Sequence, residues 1–213
     1  MLGFYDYTVI LTYLSVVSSV VGLFLATKEM FLGAVICLLL SGLCDMFDGM
    51  VARTKKNRTE MEKKNGIQLD SLADVVCFGA FPATIGYCLS KDTPFEIAAF
   101  IVGAVFVLCA IIRLSYFNVT EEERQKETKE KRKNYEGLPV TTIALIVPPL
   151  FIARKPCGEM FPLAYLIVLF LVAVCFITKF KVKKMGRTGN IVMICFGIVV
   201  FAILIALKVN GLY

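Results

Sequence analysis

Four of the six aspartates in this 213-residue chain fall between Cys44 and Asp74, inside sequence that is otherwise largely apolar. Asp45 and Asp48 are three residues apart and Asp70 and Asp74 are four apart, so on helices each pair projects from one face. An ionised carboxylate within hydrocarbon costs about 2.5–3.5 kcal/mol on insertion scales, and carboxylates gathered together also repel one another. A single aspartate at a helix end is an ordinary solvated group; the paired set needs compensation. Arg53 supplies one positive charge, which leaves divalent metal ions as the natural remainder. Oxygen-only ligands favour Mg²⁺, Mn²⁺ or Ca²⁺ over zinc, and two ions about 3.5–4 Å apart suit phosphoryl chemistry. Asp45, Asp48, Asp70 and Asp74 are therefore the candidate metal ligands. Gly49 and Ala52 either let helices pack closely or clear room for a ligand beside the ions. Arg53, one turn beyond Gly49, either belongs to a basic loop or grips a phosphate.

Other chemistries lack their residues. The chain has no histidine, which removes the usual zinc ligand and every Ser-His or Cys-His nucleophile. Seven of the eight cysteines lie in apolar runs without a C-x-x-C pair and read as small packing residues. At 58% hydrophobic residues and a mean hydropathy of +0.75, the chain is expected to be an all-α integral membrane protein, a polytopic helical bundle. Its net charge of +6 sits in short blocks, so it belongs to loops, and nucleic acid is not an expected partner.

The elements that must position the aspartates are apolar runs at about 8–26, 30–52, 67–89, 94–117, 138–153, 160–178 and 190–207. Phe4, Tyr5 and Tyr7 suit the membrane interface ahead of the first run, and no basic region marks a cleaved leader. Residues 54–64 form a charged loop; 118–137 is a helical extension or a solvated loop. Pro139, Pro148 and Pro149 should kink or tilt the short fifth run. Of the 23 Lys and Arg residues, 17 lie in the segments 53–65, 118–137 and 179–189, which share one face if the runs alternate. That face is expected to be cytoplasmic, together with the N-terminus and the aspartates. Arg113, near the cytoplasmic end of the fourth run, is the one basic side chain inside a span, placed either for an anionic group or to snorkel toward headgroups.

The pattern Asp45-x-x-Asp48-Gly49-x-x-Ala52-Arg53, then Gly66-x-x-x-Asp70-x-x-x-Asp74, resembles the signature of the CDP-alcohol phosphatidyltransferases, membrane enzymes that move a phosphatidyl or related group from a CDP-linked donor to an alcohol. All of its specified positions are present in order. One departure is the spacing: twelve residues separate Arg53 from Gly66, where the family usually has about eight. The stretches Leu69 to Gly79, Arg113 to Asn118 and Glu136 to Pro139 resemble the phosphatidylserine synthase branch, and the likeness covers roughly 8–178.

The resemblance implies six core transmembrane helices, with the seventh run as an added C-terminal helix. It divides the chain into a membrane domain at 1–178, carrying the motif at 45–74, and a basic cytoplasmic segment with a membrane helix at 179–213. It implies that the four aspartates hold two Mg²⁺ or Mn²⁺ ions, that Asp74 is also the general base, and that Gly49, Ala52, Arg53 and Gly66 line the CDP site. CDP-diacylglycerol and serine would be the substrates, membrane lipid the surroundings, and a homodimer the assembly common among relatives. Arg113, with Asn118, Tyr135 and Glu136 as weaker candidates, would bind the acceptor. Alternatives are the same transfer to glycerol 3-phosphate or an inositol phosphate, or a divalent-cation transporter, which would need more polar residues on other helices than the first, sixth and seventh runs supply.

Overall fold

Asp6 starts the first helix: its carboxylate accepts the Thr8 amide at 2.8 Å and caps a 3-10 turn that leads into α1 (Tyr7–Thr27). The computed structural model describes residues 3, 5–127, 134–183 and 187–209, with the side chains of 134, 135, 183, 187, 188 and 190 outside that description. Beyond α1 the chain reverses within three residues. The amides of Glu29 and Met30 return to the carbonyls of Ala26 and Leu25 at 3.0 and 2.9 Å, and α2 (Phe31–Ala52) packs back along α1.

The third helix begins earlier than expected. Thr59 and Glu62 form a capping box, Thr59 Oγ1 accepting the Glu62 amide at 3.1 Å and Glu62 accepting the Thr59 amide at 2.7 Å. Helix α3 (Glu60–Ser90) thus absorbs half of the expected charged loop. Midway it widens into a π-helical stretch, Val75–Ala80, directly before Pro82. A proline cannot donate to the carbonyl four residues back and crowds it, and the wider turn accommodates that loss. Helix α4 (Glu96–Glu127) extends well past the expected end, its last turns held by Arg124–Glu121 and Lys126–Glu123 ion pairs at 2.6 and 2.7 Å. The basic residues Lys129, Lys131, Arg132, Lys133 and Lys184, and the interfacial Phe4, lie outside the described residues.

Two three-residue strands, unforeseen in an all-helical reading, pair antiparallel: β1 (Asn134–Glu136) with β2 (Lys181–Lys183). Gly137 follows at φ +73, donating to the Phe180 carbonyl at 2.7 Å, and a Cβ there would crowd the Thr178 and Phe176 carbonyls at 3.1 and 3.2 Å. Helix α5 (Val140–Ile152) then runs antiparallel to α6 (Phe161–Ile177): the Leu138 amide meets the Cys175 carbonyl at one end, and the Phe151 and Phe161 rings meet at 5.2 Å at the other. The C-terminal helix α7 (Arg187–Val209) packs on α2 and α5 through Val200 and Leu204, with most of its surface outward.

Among the described residues, six helices are long and apolar enough to cross a membrane, α6 being counted with the turns that lead into it from Arg154, and α5 is the short exception. The chain is an integral membrane protein. Small residues draw the helices together where α3 meets its neighbours, Gly79 against Ala110 of α4 and Gly86 against Tyr165 of α6, whose hydroxyl donates to the Pro82 carbonyl at 2.9 Å. Between α1, α2 and α3 lies a buried hydroxyl cluster: Ser41 donates to the Ser15 carbonyl at 2.9 Å, its Oγ lies 2.8 Å from that of Ser19, and Ser15 Oγ reaches Cys77 at 3.4 Å. On the loop side, Lys55 Nζ lies 2.7 Å from both Asp6 and Glu62, tying the start of α1 to the start of α3.

Two outcomes are expected. A Cβ at Gly22 would stand 2.1 Å from the buried Phe81 ring and 2.9 Å from Cys37 Cβ, so Gly22→Ala should destabilise the detergent-solubilised protein by about 1–3 kcal/mol in thermal unfolding. The Lys55 ammonium, then the Thr8 hydroxyl, hold the Asp6 carboxyl at about 2 against an ordinary 3.8. A depressed carboxylate stabilises the fold above its ordinary value and stops doing so as pH falls through the lowered one. Amide-exchange protection at Thr8 should therefore be constant from about pH 5 to 9 and fall below that as pH approaches about 2, and loss between about 5 and 9 would contradict the tie.

Candidate active site

The site is built where three helices meet. Asp45 and Asp48 project from α2, Asp70 and Asp74 from α3, and Thr12 reaches in from α1. Oxygens of Asp45, Asp70 and Asp74 all lie within 4.8 Å of one another. Asp74 is the most enclosed, at 8% exposure, and stands beside Asp45. Asp48 lies against Asp70 at the edge of this triad and accepts from Thr12 Oγ1 at 3.0 Å. The helical spacing expected from the sequence thus brings all four aspartates into one place, three in a tight cluster and the fourth adjoining it. An oxygen-only donor set of this spread fits a divalent cation of the Mg²⁺, Mn²⁺ or Ca²⁺ type.

Around the carboxylates the motif residues divide. A Cβ at Gly49 would meet nothing within 4 Å, so packing does not require that glycine, and space beside Asp48 is open. Ala52 is half-buried at the end of α2, and Arg53 follows as its exposed C-cap residue. Gly66 is different: a Cβ there would lie 2.7 Å from Nη2 of Arg58, whose side chain folds onto it.

The acceptor candidates separate into two places. Asn118 Nδ2 donates to Ser71 Oγ at 2.7 Å and so sits beside Asp70. Arg113 and Glu136 instead line a cavity of about 290 Å³ between α4 and α6, with Tyr116, Phe176, Thr178 and Lys179 but none of the four aspartates. Arg113 is only 6% exposed, donating from Nε to the Leu138 carbonyl at 3.2 Å and lying over the Phe117 ring, which sets aside the snorkelling reading. Glu136 accepts from the Tyr116 hydroxyl at 3.2 Å and faces Lys179 at 3.5 Å. Tyr135 is in β1, and its side chain lies outside the described residues.

Thr12, Ser71, Arg58 and Lys179 were not singled out by the sequence. Thr12 is one of several hydroxyl residues along the first run, and no spacing distinguishes it from Thr8, Ser15 or Ser19.

The model of the CDP-alcohol phosphatidyltransferase family matches residues 8–177, most of the chain and every helix that carries the site. The chain belongs to that family. Among its relatives is the CDP-diacylglycerol–serine O-phosphatidyltransferase of Saccharomyces cerevisiae, 40% identical over 120 residues, which are 55% of this chain and 41% of the yeast protein. The archaetidylserine synthase of Methanothermobacter thermautotrophicus is 32% identical over 73% of this chain and 60% of its own length. The CDP-diacylglycerol–serine O-phosphatidyltransferase of Bacillus subtilis is 30% identical over 58% of this chain and 64% of its own. The match therefore spans less than two thirds of each of these relatives.

A carboxylate oriented by a neighbouring donor loses about 10–100-fold in metal affinity when that donor is removed. Thr12→Val should accordingly weaken Mn²⁺ binding about tenfold, and Asp70→Asn at least as much, in a titration of free Mn²⁺ by its paramagnetic resonance signal. Unchanged affinity in both would mean that the carboxylates hold no ion.

Proposed function

We propose that this protein transfers the phosphatidyl group of CDP-diacylglycerol to the hydroxyl of serine, releasing CMP. The observation that carries this is the convergence of Asp45, Asp70 and Asp74 oxygens within 4.8 Å beside the open face of Gly49. Membership of the family supports the donor, and the serine acceptors named in its relatives support the acceptor.

Asp45, Asp48, Asp70 and Asp74 would hold the divalent ions, a pair of Mg²⁺ or Mn²⁺, and such ions would supply charge neutralisation at the diphosphate. Asp74 accepts the proton of the serine hydroxyl, whose oxygen forms the new bond to the phosphorus bearing the diacylglycerol as the bond to CMP breaks. Gly49 and Ala52 leave room for the nucleotide, and Arg53 meets its phosphate charge. Arg113 suits the serine carboxylate and Glu136 its ammonium group; because the cavity they line contains none of the four aspartates, serine held there would still have to move to meet Asp74. Arg113 is near the right level: Asn118 touches Ser71 and Ala110 faces Gly79, which brackets Arg113 beside the turn that follows Asp74. Lys179 adds a second cation to that cavity, but Glu136 offsets it, so the surroundings suit a zwitterion better than a phosphorylated alcohol.

The basic segments favour an orientation in the cytoplasmic membrane with the site and the N-terminus on the cytoplasmic side. The segment 179–213 is an addition to the membrane domain of 1–178, and the homodimer common among relatives is the assembly we favour.

In detergent with Mn²⁺ or Mg²⁺, CDP-diacylglycerol should yield CMP when serine is offered and not when glycerol 3-phosphate or inositol phosphate replaces it. Loss of a general base costs about 10²–10⁴-fold, so Asp74→Asn should fall in that range. Turnover with only a phosphorylated alcohol would overturn the serine assignment.

A further inference from the structure

The stretch between Arg53 and Gly66 is longer than the family pattern, and Arg58 lies within it. Its side chain is half-buried and folds back onto Gly66. Nη2 would come within 2.7 Å of a Cβ at Gly66, and the guanidinium carbon within 3.8 Å, so glycine is what allows the group to rest there. Nη2 donates to the Glu62 carbonyl at 3.2 Å, whereas the buried Nε finds no hydrogen-bond partner among the described residues. Gly66, Asp70 and Asp74 follow one another at intervals of four, so the guanidinium covers the helix face that carries the clustered carboxylates, about 6 Å toward the α2–α3 loop.

A brace for the loop would be the plain structural role, but other residues already supply it. Lys55 ties Asp6 to Glu62 at 2.7 Å each, and the Thr59–Glu62 capping box fixes the start of α3. A guanidinium carries five donors, and a buried N–H without an acceptor is costly. Phosphate oxygens accept from guanidinium groups in pairs and would engage the donors at its outer end.

We propose that Arg58 is a further donor-binding residue, its guanidinium meeting phosphate oxygens of the nucleotide half of the CDP-lipid. This rests on the CDP-lipid assignment made above. Gly66 then serves the nucleotide indirectly, by making room for the arginine that binds it.

The full chain in detergent provides the test. Arg58→Gln should raise the KM for CDP-diacylglycerol and the inhibition constant of CMP about tenfold or more, leaving the KM for serine within about twofold. Arg58→Lys should recover part of the loss. Gly66→Ala should reproduce Arg58→Gln, and the double variant should be no worse than either, while Lys63→Gln on the exposed side of α3 should change nothing. An unchanged CMP inhibition constant, or a loss shared equally with serine and matched by a lower melting temperature without nucleotide, would overturn the proposal. If the wild-type protein releases no CMP with any acceptor, the activity assigned above fails, and CDP with Mn²⁺ decides Arg58 separately. A melting temperature raised by CDP in the wild type but not in Arg58→Gln upholds the contact, and equal shifts refute it.

Discussion

Repulsion between carboxylates is the constraint that the rest of this structure answers. Three aspartate oxygens share a space within 4.8 Å, and at an effective dielectric of about 20 each ionised pair at that separation would repel by about 3 kcal/mol. One exposed arginine at the end of α2 cannot offset that. A cluster of this kind is compatible with divalent cations that would offset the repulsion, and the surrounding helices hold it together.

Helix α1 does much of that holding without contributing a carboxylate. Ser15 and Ser19 bind Ser41 of α2, fixing how far the two helices can slide past each other, and Cys77 of α3 closes on Ser15 from the other side. With that register set, Thr12 arrives at Asp48. The hydroxyls are buried and mutually satisfied, so they specify geometry at little cost to packing.

The motif was legible because its chemistry is written in spacing: acids three and four positions apart on a helix can be read without coordinates. The apolar runs were legible for the same kind of reason, since crossing hydrocarbon demands a length. What escaped depends on contacts between distant segments. Nothing near Thr59 in a charged stretch distinguishes a loop from a capped helix until its side chain meets Glu62, and the β1–β2 pairing joins residues 134–136 to 181–183, with two helices between them. Arg58 looked like one basic residue among many, and only its position over Gly66 sets it apart. Asn118 and Arg113 are five residues apart in sequence, yet they face different surroundings because they sit on different sides of α4.

The wide turn at Val75–Ala80 has a bearing on how this helix can evolve. Each residue in an α-helix advances the face by about 100°, so one added or removed between the acids and Pro82 changes the phase of everything beyond it. The half of α3 that carries Asp70 and Asp74 and the half that buries Phe81 are aimed independently, joined by a coupling whose length sets the angle between them. Shortening that coupling by a single residue would leave both halves helical, and would swing the acids out of alignment with α2.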